Sequence, residues 1–246
     1  MRFLITAQLA QLFFGGSRWA TNKRLRKLLD RGLVRVWVRD LARENVYSLD
    51  RSGLRLLTAG SEDAAWSLPR GLDGNLDHLL AINDVRISLA LGLDGEGGEL
   101  RSWRSDWELR AHVRAKVVPD ALFIVQWDDA EQAFALEVDN ATRSPRRFLA
   151  KILRYKTLSV RRVPLHGVTD FLTLVVGRDD RWIERYRDAA SHTRLGFRIL
   201  FAALPDVGRE GACKSIWKSA DGENRYSLHD LARSFGTRSG VLEQGD

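Results

Sequence analysis

A pair of glycines, Gly15 and Gly16, separates two segments that both carry the apolar spacing of a half-buried helix. The apolar positions are Leu9, Leu12 and Phe13 in the first segment and Leu25, Leu28 and Leu29 in the second. The i, i+3, i+4 spacing places these side chains on one helix face. The pattern therefore predicts two short amphipathic helices joined by a glycine break, with Thr6 and Ser17 as their N-caps.

The second helix is followed by the signals of a β-hairpin. Gly32 stands where a left-handed residue commonly ends a helix. Two runs of extended character, residues 33–38 and 46–49, flank a turn, and a short apolar helix is expected at residues 54–57. The order helix, glycine break, helix, hairpin and helix predicts an N-terminal winged helix-turn-helix domain over residues 1–60.

Positive charge is concentrated in two stretches of the chain. The 246 residues include 39 Lys and Arg against 32 Asp and Glu, a net charge of +7. Residues 18–39 hold eight basic side chains and one acid, residues 140–163 hold eight and none, and the remainder sums to −8. Such concentration indicates a polyanionic partner, and an amphipathic basic helix fits the major groove of duplex DNA.

The candidate DNA contacts lie in both basic stretches and in the hairpin. They are Arg18, Asn22, Lys23, Arg24, Arg26 and Lys27 in the second helix, Arg39 and Arg43 in the hairpin, and Arg143, Arg146 and Arg147 in the second stretch. A solvated basic face with no partner is the alternative interpretation of the helix, and a winged helix can also dock proteins.

Cysteine usage and hydropathy exclude several protein classes. Cys213 is the only cysteine, so the chain has no internal disulfide and no cysteine-based zinc site. No uncharged apolar run approaches the roughly 18 residues that a membrane span needs. The apolar part of the N-terminus is too short for a secretion signal. We therefore expect a cytoplasmic protein with no membrane partner.

The rest of the chain predicts a linker, a second domain and a polar extension. Residues 61–77 are rich in Gly, Pro, Ser and Asp and form the expected linker. Helical and extended patterns alternate over residues 78–205, which indicates a mixed α/β domain, and residues 206–246 are expected to form a polar, glycine-rich extension. Helices are expected at residues 76–93, 145–160 and 180–193, and extended segments at residues 100–109, 117–127, 134–138, 171–176 and 197–203.

Three acids stand at the expected ends of strands. Glu108 closes the first strand of the second domain, Asp120 opens the next, and Glu137 lies at the end of the one after. Carboxylates converging there can hold Mg²⁺, which polarises a phosphate and lowers the pKa of a bound water. Lys151 on the following helix can reach back and stabilise developing charge. The predicted catalytic set is Asp120, Glu137 and Lys151 with Glu108 assisting, and the predicted metal ligands are Asp120 and Glu137.

This order of acids resembles the PD-(D/E)xK nuclease superfamily. Pro119-Asp120 matches its PD element, and Glu137-Val138-Asp139 stands in place of its E-x-K element. The superfamily lysine is replaced by Asp139, and Lys151 is the candidate for a lysine that has migrated to the next helix. The resemblance implies a restriction-endonuclease-like mixed α/β fold, which many members keep as a binding scaffold after losing cleavage.

A second resemblance covers residues 4–160. The segments are Ile5-Thr6-Ala7-Gln8-Leu9, Arg24-Leu25-Arg26-Lys27-Leu28, Gly32-Leu33-Val34, Val118-Pro119-Asp120-Ala121, Leu136-Glu137-Val138-Asp139 and Lys151-Ile152-Leu153-Arg154-Tyr155. Together they resemble the replication-relaxation family, whose members occur on plasmids and other mobile elements. The resemblance implies DNA binding in replication or mobilisation.

Two functions follow from these patterns, and a protein-interaction module is a third. The first is a duplex-DNA-binding factor of replication, mobilisation or transcriptional control, which needs no cofactor. The second is a Mg²⁺-dependent DNA endonuclease or nickase. The acid at position 139 favours the DNA-binding factor over the nuclease. As an alternative to a catalytic role, Glu137 and Asp139 can form ion pairs with nearby arginines. A homodimer and replication or relaxosome proteins are the expected partners.

Overall fold

The computed structural model describes most of the chain in two compact units. These units are Met1–Ile87 and Ser88–Asp246. The described residues are 1–40, 42–59, 68–72, 75–112, 117–140, 145–191, 198–220 and 222–236.

The first unit combines short helices with a small antiparallel sheet. Its elements are β1 (Leu4–Ile5), α1 (Thr6–Phe14), α2 (Arg18–Asp30), β2 (Val34–Trp37), β3 (Val46–Leu49) and α3 (Arg51–Thr58). The strands pair in the order β1-β3-β2. Ser17 caps α2 as predicted, its hydroxyl accepting a hydrogen bond from the Ala20 N–H at 3.3 Å. The predicted glycine break and helix end are confirmed, since Gly15 and Gly32 have φ of 54° and 63°.

The N-terminus of α1 differs from the prediction by one residue. Thr6 is the first residue of the helix rather than its cap, and Ile5 precedes it in an extended conformation. The Ile5 N–H donates to the side-chain oxygen of Gln8 at 3.3 Å. The side chain of Gln8, in the first turn, thus satisfies the backbone N–H of the residue that precedes the helix.

Helix α4 (Leu76–Gly95) begins inside the expected linker. Its first turns belong to the first unit, where the Asn83 amide donates to the Phe3 carbonyl at 2.6 Å and the Gln8 amide to the Leu80 carbonyl at 2.9 Å. The boundary between the units therefore falls at residue 88, within α4, whereas the sequence predicts a linker at residues 61–77. Residues 60–67 and 73–74 of that region lie outside the described residues.

The second unit is built on a seven-stranded mixed sheet, which confirms the predicted α/β class. Its further elements are β4 (Glu99–Ser105), α5 (Asp106–His112), β5 (Ala121–Gln126), β6 (Glu131–Asp139), α6 (Pro145–Val160), β7 (Phe171–Gly177), α7 (Asp180–Ser191), β8 (Ile199–Ala203), α8 (Leu204–Arg209), β9 (Trp217–Ser219), β10 (Arg225–Tyr226) and α9 (Leu228–Phe235). The strand order is β10-β9-β8-β7-β6-β5-β4, with β6, β7 and β8 parallel. Helices α6 and α7 make the crossovers between the parallel strands.

One face of this sheet packs against α6 and α7 in a single apolar cluster. Phe148 and Ile152 of α6 and Tyr186 of α7 lie there with Ala133 and Ala135 of β6. Because side chains alternate along a strand, the later odd-numbered residues of β6 point to the same face. The sheet thus directs two strand-end acids toward the helices.

The chain after residue 205 differs from the polar extension that the sequence predicts. Strand β8 is not the last strand, because β9 pairs with it and β10 pairs with β9. Trp217 of β9 is fully buried, and Leu228 and Leu231 of α9 are buried as well. The described residues 204–236 therefore belong to the second unit's fold.

Candidate functional site

Helix α2 presents its basic side chains to solvent. Thr21 and Leu25 are buried on its inner face. Its exposed residues include Arg18, Trp19, Asn22, Lys23, Arg24, Arg26 and Lys27. Among the α2 cations, Arg18 alone forms an ion pair within the described residues, with Glu44 of the segment between β2 and β3. The remaining cations leave a positive ridge on this helix.

The two arginines of the hairpin are engaged by an acid of α4. Arg39 and Arg43 each donate to the Asp77 carboxylate at 2.9 Å, and Arg39 also donates to the Glu44 carbonyl at 3.2 Å. Burial acts to raise the pKa of Asp77, but the two guanidinium groups outweigh it and hold that pKa below its ordinary value. The Arg39 side chain is 14 % exposed, so it is less accessible to DNA than the sequence predicts.

The second basic stretch is described in part. Arg147 and Arg154 are exposed on α6. Arg143 and the side chain of Arg146 lie outside the described residues.

Glu137 occupies the buried face of β6 between the sheet and the helices. It is 1 % exposed. The preceding residue, Leu136, pairs with β5 on one side, and Glu137 itself pairs with Val175 of β7 on the other. A carboxylate removed from water in this way is costly unless other groups hold it.

Two side chains one turn apart on α6 meet the Glu137 carboxylate. The Lys151 ammonium lies 2.6 Å from its Oε1 and 2.7 Å from its Oε2, and the Tyr155 hydroxyl donates to Oε1 at 2.5 Å. The i, i+4 spacing brings both groups to one helix face. Burial, together with the adjacent carboxylate, raises the pKa of Tyr155, so its hydroxyl stays a donor.

Asp120 adds a second carboxylate beside this cluster. Its Oδ2 accepts a hydrogen bond from the Val138 N–H at 2.8 Å, and its own N–H donates to the Leu136 carbonyl at 3.0 Å. Burial and the charge of Asp120 raise the pKa of Glu137 to about 7, against the lowering effects of Lys151 and Tyr155. The predicted residues Asp120, Glu137 and Lys151 are thus neighbours.

Asp139, at the position of the superfamily lysine, has a partner that the sequence reasoning missed. This buried acid accepts a hydrogen bond from the Tyr186 hydroxyl of α7. In the sequence, the i, i+4 spacing of Trp182 and Tyr186 favours a shared helix face and does not indicate a polar role for Tyr186.

The sequence predicts that Glu108 closes a strand, but the structure places it in a helix. Strand β4 ends at Ser105, and Glu108 lies in the first turn of α5. Its carboxylate accepts a hydrogen bond from the Ser105 N–H at 2.7 Å, as the last residue of a capping box does. The serine–x–x–glutamate spacing from Ser105 to Glu108 was the signal that could have shown this cap.

The family model of replication-relaxation proteins matches residues 1–171. The chain belongs to this family. The matched span of this replication-relaxation protein includes the α2 ridge and the cluster around Glu137, and it ends at the first residue of β7. A comparison with curated proteins found no match.

Two solved structures resemble this replication-relaxation protein weakly. The restriction endonuclease FokI matches with 12 % identity and a TM-score of 0.38, and the DNA-bound form of FokI with 13 % identity and a TM-score of 0.33. Each match covers 96 % of this chain and 44 % of the other, so the chain spans less than half the length of these relatives.

Lys151 contacts the Glu137 carboxylate at the place where the sequence predicts a Mg²⁺ ligand. Both carboxylate oxygens of Glu137 are engaged by Lys151, and one oxygen of Asp120 accepts a backbone hydrogen bond. Proteins usually bind Mg²⁺ through one or two carboxylates together with several waters. Among the described residues, no group of three or more His, Cys, Asp or Glu side chains is placed to hold a metal.

In the part of the chain that the structure describes, no helix has the length and apolar character to cross a bilayer.

Proposed function

We propose that this chain is a non-cleaving protein that binds duplex DNA through α2 of a winged helix-turn-helix. It acts in the replication, mobilisation or transcriptional control of a plasmid or mobile element. The exposed, largely unpaired cationic ridge of α2 carries the proposal. Membership of the replication-relaxation family supports the biological setting.

The topology of the first unit supports this use of α2. Helix α1, the Gly15-Gly16 break and α2 follow one another as in a helix-turn-helix, and β2 and β3 form the hairpin after them. In a helix-turn-helix the second helix enters the major groove with its N-terminal residues toward the bases. The exposed cations of α2 are then opposite phosphates.

The second unit is proposed to act as a scaffold. Lys151 and Tyr155 both contact the Glu137 carboxyl group, and Asp139 accepts a hydrogen bond from Tyr186, so the two acids link α6 and α7 to the sheet. Buried polar groups that have all their hydrogen-bond partners favour one packing arrangement. The homodimer, the relaxosome partners and the cytoplasmic location stay predictions.

Replacing Arg24 and Lys27 together with alanine tests the proposed function. We expect weaker duplex binding and a flatter salt dependence, by about 0.9 in the slope of log K against log salt for each phosphate that the variant no longer neutralises. The measurement is fluorescence anisotropy with a random-sequence duplex between about 50 and 200 mM salt.

The matched control for this test is the Arg51→Ala, Arg55→Ala variant. These exposed arginines lie on α3, so the variant loses the same charge from another helix of the same unit. Equal losses of affinity in both variants, or no loss in the α2 variant, would contradict the proposal.

Replacing Asp77 with asparagine tests whether α4 withholds the hairpin arginines from DNA. The Arg43 side chain is 55 % exposed and its charge is neutralised by Asp77, so the neutral amide frees it for a phosphate. We expect tighter binding and a salt slope steeper by about 0.9. Asp94→Asn, at an exposed position later in the same helix, controls for the change in net charge. Weaker binding would instead show that Asp77 positions the arginines for DNA.

A further inference from the structure

Trp19 is a large aromatic ring exposed on the second residue of α2. The residue is 73 % exposed, and no hydrogen bond holds its indole N–H within the described part of the chain. Tryptophan carries a large apolar area that usually finds cover in a protein or at an interface. Its exposure on the proposed DNA-binding helix therefore requires an explanation.

The surroundings of the ring favour DNA over an apolar protein surface. The Lys23 ammonium lies 4.9 Å from the centre of the ring, and Arg26 follows one turn later on the same exposed side of α2. An apolar protein partner would have to remove these cations from water without compensation. A DNA groove offers phosphates to the cations and base edges to the ring.

The chemistry of the side chain selects one base. Indole has an apolar surface and a single N–H donor, with no acceptor. In the major groove only thymine presents a methyl group beside an acceptor oxygen. The N-terminal turn of a recognition helix is the part that contacts base edges. We infer that Trp19 determines sequence preference by contacting a thymine methyl group, an inference that rests on the proposed function.

The test compares thymidine with deoxyuridine in the duplex, because these two nucleosides differ only by the methyl group of the base. The full chain first selects preferred duplexes from a random library, and each thymine of the selected site is then replaced in turn. We expect one replacement to weaken wild-type binding about fourfold, the effect of one buried methyl group. The Trp19→Ala variant is expected to bind the thymine duplex and the substituted duplex with equal affinity.

Phe13→Ala is the matched control, because this aromatic is 66 % exposed but lies on α1. It should keep the wild-type ratio between thymine and deoxyuridine. The inference is overturned if no site is enriched, if no replacement matters, or if Trp19→Ala keeps the ratio. It also fails if Trp19→Ala alters only self-association in sedimentation. Absence of any duplex binding by the wild type would instead overturn the proposed function itself.

Discussion

The Glu137→Gln variant is expected to lose a pH dependence of stability that the wild type shows between about pH 4.5 and 7. Burial raises the pKa of Glu137 from 4.5 to about 7 in the folded protein. In this range the folded state binds the proton and the unfolded state releases it, so the free energy of unfolding falls as pH rises. The contribution is roughly 3 kcal/mol at full extent and is lost by about pH 7.

Glutamine suits this test because it keeps the shape of the side chain and an oxygen that can accept from Tyr155. Urea unfolding of both proteins across the pH range gives a difference curve that isolates Glu137. Glu99→Gln, an exposed acid on β4 of the same sheet, should follow the wild type closely. A difference between wild type and Glu137→Gln that stays constant with pH would mean that Glu137 is charged throughout.

The sequence predicts the order of helices and strands up to residue 58 because the signals for these elements are local. Ser17 caps α2, and Gly15 and Gly32 end helices, each within a few residues of the group it satisfies. The engagement of Arg39 and Arg43 by Asp77 depends on a contact across more than 30 residues. The arginine pattern alone predicts a free cationic loop, since nothing local marks the acid.

The carboxylate cluster shows the same division between local and distant information. The i, i+4 spacing of Lys151 and Tyr155 predicts a shared helix face, and alternation in β6 predicts a strand. Whether α6 covers the sheet face that carries Glu137 depends on how the helix crosses from β6 to the parallel strand β7. The register of that sheet, and not the motif, determines that Lys151 contacts the Glu137 carboxylate.

The region after residue 205 is where sequence reasoning missed most of the fold. Strand β9 has three residues and β10 has two, too few to establish an alternating pattern. Their place at the sheet edge depends on the pairing of β9 with β8 and of β10 with β9. A short strand of this kind contributes to the core through individual residues, chiefly Trp217.

The Trp217→Ala variant is therefore expected to be strongly destabilised. The ring is fully buried, and its N–H donates to the Ala212 carbonyl at 2.8 Å. Removing a buried aromatic side chain costs about 3–5 kcal/mol, through lost burial and the cavity that remains. Urea unfolding should show this loss as a lower midpoint with a similar slope.

Trp19→Ala supplies the control, because it makes the same chemical change at an exposed position. Its stability should stay within about 0.5 kcal/mol of the wild type, since the change removes neither a buried group nor the Ser17 cap. If Trp217→Ala proves equally mild, residues 204–236 unfold without affecting the sheet, and the polar extension expected from the sequence describes them better. A large loss at Trp217 alone means that the scaffold proposed for the second unit includes this C-terminal segment.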